Sequence, residues 1–63
     1  MNYIEDNLVS AINDPSTTRL DIAKLYKEAF QANPQPDWAR VNLEIMNRWS
    51  KSALVWIKTE AWG

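Results

Sequence analysis

Apolar residues recur along this chain at intervals of three and four, and nowhere in the strict alternation of a half-buried strand. In the first thirteen residues Ile4, Leu8, Ala11 and Ile12 share one helical face. Asn2 is placed to cap that helix, with Glu5 three residues on to complete a capping-box-like pair. Asp14-Pro15 ends it, because the residue before a proline is pushed out of the α region. A second face, Ile22, Leu25, Tyr26, Ala29 and Phe30, predicts a helix from Thr17 or Thr18 to Ala32, opened by a Thr18–Asp21 cap pair and stopped by Asn33-Pro34. The two breaks, DPSTT at 14–18 and NPQP at 33–36, are the only clusters of turn residues.

From Asp37 to Trp62 no glycine or proline intervenes. Pro36 suits a first-turn position, and Asp37 suits the positive end of a helix. At 100° per residue, Trp38, Ile45, Trp49 and Trp56 fall within about 40° of one another. Val41 flanks this line on one side; Ala53, Met46 and Ile57 flank it on the other, with Leu43 and Leu54 beyond. Arg40, Glu44, Asn47, Arg48, Lys51 and Lys58 occupy the opposite side. The pattern stays in register through Ser50-Lys51-Ser52, so it predicts one long C-terminal helix, bent at most. Serines favour caps and turns, so four short helices with a break near Ser50 are the alternative. The expected fold is a single all-α domain over residues 1–63: two short helices and one long one. Its core is Ile4, Leu8, Ile12, Leu25, Tyr26, Ala29 and Phe30 against Trp38, Ile45, Trp49, Ala53 and Trp56.

A continuous helix would carry an apolar arc of about 220°, against the 100° or so that a core-facing stripe requires. Each buried aromatic side chain removes about 150–250 Å² from water, worth at most about 4–6 kcal/mol. Two short helices cannot cover such an arc. Either a second copy or another protein covers the remainder, or the helix breaks and folds back on itself. The tryptophan line thus has three readings: core filling, a self-association seam, or a surface for a foreign partner. Trp38, Met46, Trp49, Trp56 and Ile57 are the candidate interface residues. Trp62 joins them from the polar side, next to Val55, as either an exposed anchor or a ring tucked back on the domain.

Composition sharpens this picture mainly by exclusion. Sixty-three residues bury only about 60% of their unfolded surface, so a chain of this size needs support. With no cysteine and no histidine, disulfides, thiolate or imidazole metal sites and the commonest general base are all missing. Seven basic and eight acidic residues leave a net charge of −1, without pull toward nucleic acid or anionic membranes. The first dozen residues lack the basic and apolar regions of a signal peptide, and no segment is apolar enough to span a bilayer. A cytoplasmic protein is expected. The chain begins with Met and carries no tag, which reads as a complete short gene product.

Candidate chemistry is sparse. Ser10, Ser16, Ser50 and Ser52 have no histidine to activate them, and Ser50-Lys51, adjacent on a helix, point apart. Glu5 with Asp6, and Asp21 with Glu28, pair on solvent faces, where a carboxylate is not desolvated into an acid catalyst. The single glycine, at the last residue, leaves nothing to cradle a phosphate. No catalytic residue, metal ligand or cofactor is assigned. The stripe Arg40, Arg48, Lys51 and Lys58 could meet phosphates, but Glu44 lies four residues from both arginines and can pair with either. That mixed face also differs from the strongly basic face of a membrane-surface helix.

Within TTRLDIAKLYKEAF, the segment DIAKLY resembles the first helix of helix-turn-helix repressors, where Asp-Ile-Ala-Lys commonly opens that helix. The resemblance covers Asp21–Tyr26 and implies a DNA-binding regulator. Where the family places a short Gly-x-Ser-like turn, Lys27-Glu28-Ala29-Phe30 continue the helix here. The next helix opens with Asp37-Trp38 in place of groups for DNA. The function expected is therefore a small non-enzymatic interaction protein. It would act by helix-mediated self-association or by docking on a larger protein, and its size suits a phage or mobile-element product. A regulator with a degenerate helix-turn-helix is the alternative.

Overall fold

The computed structural model describes residues 2–63 and contains four α-helices: α1 (Tyr3–Asn13), α2 (Arg19–Phe30), α3 (Trp38–Arg48) and α4 (Lys51–Trp62). No strand occurs among the described residues. The expected long C-terminal helix is thus two helices, and the four-helix alternative matches. An unbroken rod over 37–62 would measure about 39 Å, whereas the molecule's largest extent is 27 Å.

The break lies at Trp49 (φ −116°, ψ −87°) and Ser50 (φ −174°, ψ 172°). Trp49 N–H still donates to Ile45 O at 2.9 Å and closes α3. Ser50 Oγ then accepts from Ala53 N–H at 3.1 Å and opens α4. A serine cap of this kind contributes about 1 kcal/mol. It also lets α4 fold back on the molecule, which buries far more surface than a protruding helix would.

The other ends follow their sequence signals with small corrections. Thr18 and Asp21 form a complete capping box on α2, which ends at Phe30 rather than at Ala32. Asn2 caps α1 by accepting from Glu5 N–H at 3.0 Å. The Glu5 side chain does not return to Asn2. It crosses to α3, where Oε1 accepts Asp37 N–H at 2.6 Å and Oε2 accepts Arg40 Nη1 at 2.7 Å. Pro36 is buried and precedes the helix; Asp37 is its N-cap, accepting from Ala39 and Arg40 N–H. Asp37 and Glu5 thereby put two carboxylates at the positive end of α3.

The helices form a closed circuit in the order α1, α2, α4, α3, each packing on two neighbours, with α2 against α4 the most extensive pairing. The backbones of α2 and α3, and those of α1 and α4, lie on the diagonals and do not approach each other closely. The connection 31–37 crosses the molecule and is held by Gln35. Its amide Nε2 donates to Phe30 O (2.9 Å) and Ala32 O (2.6 Å), carbonyls at the open end of α2. Its backbone oxygen accepts Asn2 Nδ2 at 3.1 Å.

The core is Leu8, Val9, Ile12, Ile22, Ala23, Tyr26, Ala29, Val41, Ile45, Leu54, Ile57 and Ala61, with Ala53 buried beside them. Expected members that fall short are instructive. Ile4, in the first turn of α1, and Phe30, the last residue of α2, are exposed, and Leu25, Trp38, Trp49 and Trp56 are half-buried. The break turns α4 so that Leu54, Ile57 and Ala61 face inward in place of the Trp49–Trp56 line. Among the described residues, every buried side-chain polar atom has a hydrogen-bond partner. Ile57 is fully enclosed, so Ile57→Ala should cost about 2–5 kcal/mol, read as a lowered urea midpoint with unchanged slope. A loss below about 1 kcal/mol would mean that α4 is not seated as described.

Candidate interaction site

Four aromatic rings gather at one end of the circuit, brought there by three different helices. Tyr26 and Phe30 are four residues apart on the last turns of α2 and so lie on one face, with ring centroids 5.5 Å apart. Trp38, the first residue of α3, stacks on Phe30 at 4.2 Å and an 18° tilt, and touches Tyr26 at 4.7 Å. Trp62, the last helical residue of α4, meets Phe30 edge-on at 4.4 Å and Tyr26 at 6.2 Å. Each such pair is worth about 0.5–1.5 kcal/mol beyond its buried area.

Polar groups fix the rings in place. Tyr26 is buried and its hydroxyl donates to Asn42 Oδ1 at 2.8 Å, a link between α2 and α3 across the centre. Burial pushes the phenol pKa up, and the Asn42 bond partly offsets this. Trp38 Nε1 donates to Gln35 Oε1 at 3.1 Å, so the glutamine that closes α2 also orients the indole.

The outer side of this cluster is open. Phe30 is 40% exposed and Trp62 61% exposed. Between them lies a groove of about 420 Å³ lined by Lys27, Phe30, Gln31, Ala61 and Trp62. Lys27 is the one ionisable side chain in that lining and makes no ion pair with any of the described residues.

The structure distributes the candidate interface residues rather than aligning them. Trp38 and Trp62 converge on Phe30 in the cluster. Trp49 lies at the α3–α4 break beneath the Arg48 guanidinium, 4.2 Å from its ring centre. Trp56 packs toward the start of α2, with the Arg19 guanidinium 5.2 Å from its ring. Met46 is half-buried against the core. Ile57 has no exposed surface and offers nothing to a partner in this form. The wide apolar arc, which depended on an unbroken helix, does not exist. Lys27, Gln31 and Ala61 are members of the groove that the helical pattern did not single out. The usable signal was the Tyr26–Phe30 pair next to the break at Asn33-Pro34.

The basic stripe is also broken up. Arg40 pairs with Glu5 at 2.7 Å and Asp6 at 3.5 Å. Arg48 donates to the carbonyls of Ile12 (2.8 Å) and Pro15 (3.3 Å). Glu44 pairs with neither arginine and accepts instead from Asn13 Nδ2 at 3.5 Å. Two of the four cations are therefore tied to their own molecule. Nor does a short turn of the kind that the DIAKLY resemblance implies follow α2: the connection 31–37 precedes α3, whose backbone stays apart from that of α2.

No protein-family model matches the chain, and comparison with curated proteins and with solved structures gives no match.

The acids with altered titration all have structural partners. Glu5 is held below its ordinary 4.5 by the Asp37 N–H, then by the Arg40 guanidinium. Asp14 and Asp21 are lowered by backbone and hydroxyl donors of Ser16 and Thr18 respectively. Among the described residues, no group of three or more acidic side chains could hold a metal ion. An acid with a depressed folded pKa binds fewer protons folded than unfolded. Its contribution is therefore complete above the unfolded value and fades as pH falls through the folded one. Glu5→Gln should accordingly be less stable than the parent chain at pH 7, and the difference should shrink at pH 3. Urea midpoints measured at both pH values check this; an equal gap at the two would remove Glu5 from the acid response.

Proposed function

We propose that this is a non-enzymatic interaction protein that docks on a larger protein through the Phe30–Trp62 groove. The observation that carries the reading is the 61% exposure of Trp62 beside Phe30. Tryptophan is among the side chains most often found as binding anchors, and aromatic rings in general are enriched at interfaces. Lys27 adds specificity. The occupant that fits the groove is an apolar side chain of the partner flanked by a carboxylate that reaches the ammonium.

Support for a non-catalytic role comes from the titratable groups. Glu5, Asp14 and Asp21 are all shifted down, opposite to what a carboxylic acid catalyst needs at neutral pH. No helix among the described residues is long and apolar enough to cross a membrane. The exposed apolar residues outside the groove do not gather into a second face: Tyr3, Leu20, Leu43 and Val55 lie on four different helices.

The test is quantitative capture from a lysate of the native host with immobilised chain, followed by calorimetry on the protein recovered. Trp62→Ala should weaken binding at least tenfold, the scale of a central anchor. Lys27→Glu, which leaves the core untouched, should also weaken it, and Leu43→Ala should not. Equal recovery by all four chains, or none by the parent, would overturn the reading.

A further inference from the structure

The break between α3 and α4 consists of two residues, and the sequence on either side is helical in phase. Trp38, Ile45, Trp49 and Trp56 remain within about 40° of one another when the helix is drawn straight through. No glycine or proline lies between 37 and 62. Only Trp49 and Ser50 leave the helical region, and both can return to it at no steric cost. Meanwhile α4 has its most extensive packing on α2, not on the helix it is tethered to. We propose that Trp49–Ser50 is a hinge, and that straightening it fuses α3 and α4 into one helix whose C-terminal half docks on α2 of a second copy, giving a domain-swapped dimer.

The occupant of the vacated surface is fixed by the chain itself. When α4 swings out, its buried residues Leu54, Ile57 and Ala61 leave the core they share with Ile22, Tyr26 and Ala29 of α2, the helix on which α4 packs most extensively. The surface complementary to each set is the other set, and only another copy presents it in the same register. Swapping an identical element in this way recreates the interior contacts of the monomer. The straightened backbone gains helical hydrogen bonds for the amides that open α4, which a break leaves without helical partners. It gives up the Ser50 cap on Ala53 N–H. The balance between the two forms therefore rests on a few local groups and on chain concentration.

This inference does not depend on the aromatic groove. Two substitutions push the hinge in opposite directions. Ser50→Ala removes the cap and favours the helix interior, and with two caps lost per dimer it should tighten dimerisation by roughly 30-fold. Lys51→Pro fits the closed form: Lys51 is the first residue of α4, where proline is tolerated. Ser50 is already extended, as the residue before a proline prefers. In a fused helix the same proline would remove a hydrogen bond and clash with the preceding turn. Ser50→Asp keeps a capping oxygen and is the control.

Each chain is refolded from denaturant at millimolar concentration, and its mass is followed by sedimentation after dilution. Expected are a dimer of the Ser50→Ala chain that persists on dilution, since separation requires α4 to leave α2, and a monomeric Lys51→Pro chain with unchanged helical circular dichroism. Ser50→Asp should behave as the parent does. The proposal is overturned if Ser50→Ala is no more dimeric than Ser50→Asp, or if Lys51→Pro dimerises as readily as the parent. In that last case, loss of the dimer in Trp62→Ala would assign association to the groove instead.

Discussion

Burial of Leu54, Ile57 and Ala61 in the core decides the architecture, and the modest hydrogen bond from Ala53 N–H to Ser50 Oγ fixes where the chain reverses to achieve it. That bond marks the point at which an apolar surface too wide for one helix is divided between two. With the chain reversed there, α4 returns to lie on α2, and the circuit α1, α2, α4, α3 closes. A radius of gyration of 10.4 Å is close to the roughly 10.6 Å expected for a globular chain of this length. A chain of 63 residues without cysteine thus obtains the additional cover it needs from its own fourth helix, the twelve residues Lys51–Trp62.

Most local structure was legible because it is written in short-range chemistry. Asn2, Thr18 and Asp37 announce helix starts, and Asp14-Pro15 and Asn33-Pro34 announce ends, by the residues' own hydrogen-bonding and steric limits. Ser50 carried the same kind of signal, but in competition with a periodic pattern that runs through it unbroken. Periodicity reports which residues share a face if a helix continues; it is silent on whether burial is better served by continuing. That decision is tertiary, made by how much of Leu54, Ile57 and Ala61 can be enclosed by α2.

The candidate site was less legible for the same reason. Trp38 and Trp62 meet only because three helix ends converge, which no spacing within one helix can encode. Phe30 looked like core because it continues the face of Ile22, Tyr26 and Ala29, but its place on the last turn leaves one side of the ring without a neighbour. The charges tell a similar story. Arg40 and Arg48 appeared to be spaced for Glu44, whereas both reach across to α1 or the loop that follows it, where carboxylates and unpaired carbonyls need donors. Glu5 shows the reverse: a residue spaced to finish its own cap finds two stronger donors at the start of α3.

The edge-on contact of Trp62 with Phe30 has a mechanical corollary. Helix termini ordinarily fray, and the final turn of a small domain is commonly the first to melt. Here that turn carries a ring set edge-on against Phe30, which ties the last turn of α4 to the last turn of α2. An occupant of the groove that packs on both rings would therefore also hold that last turn in its helical form.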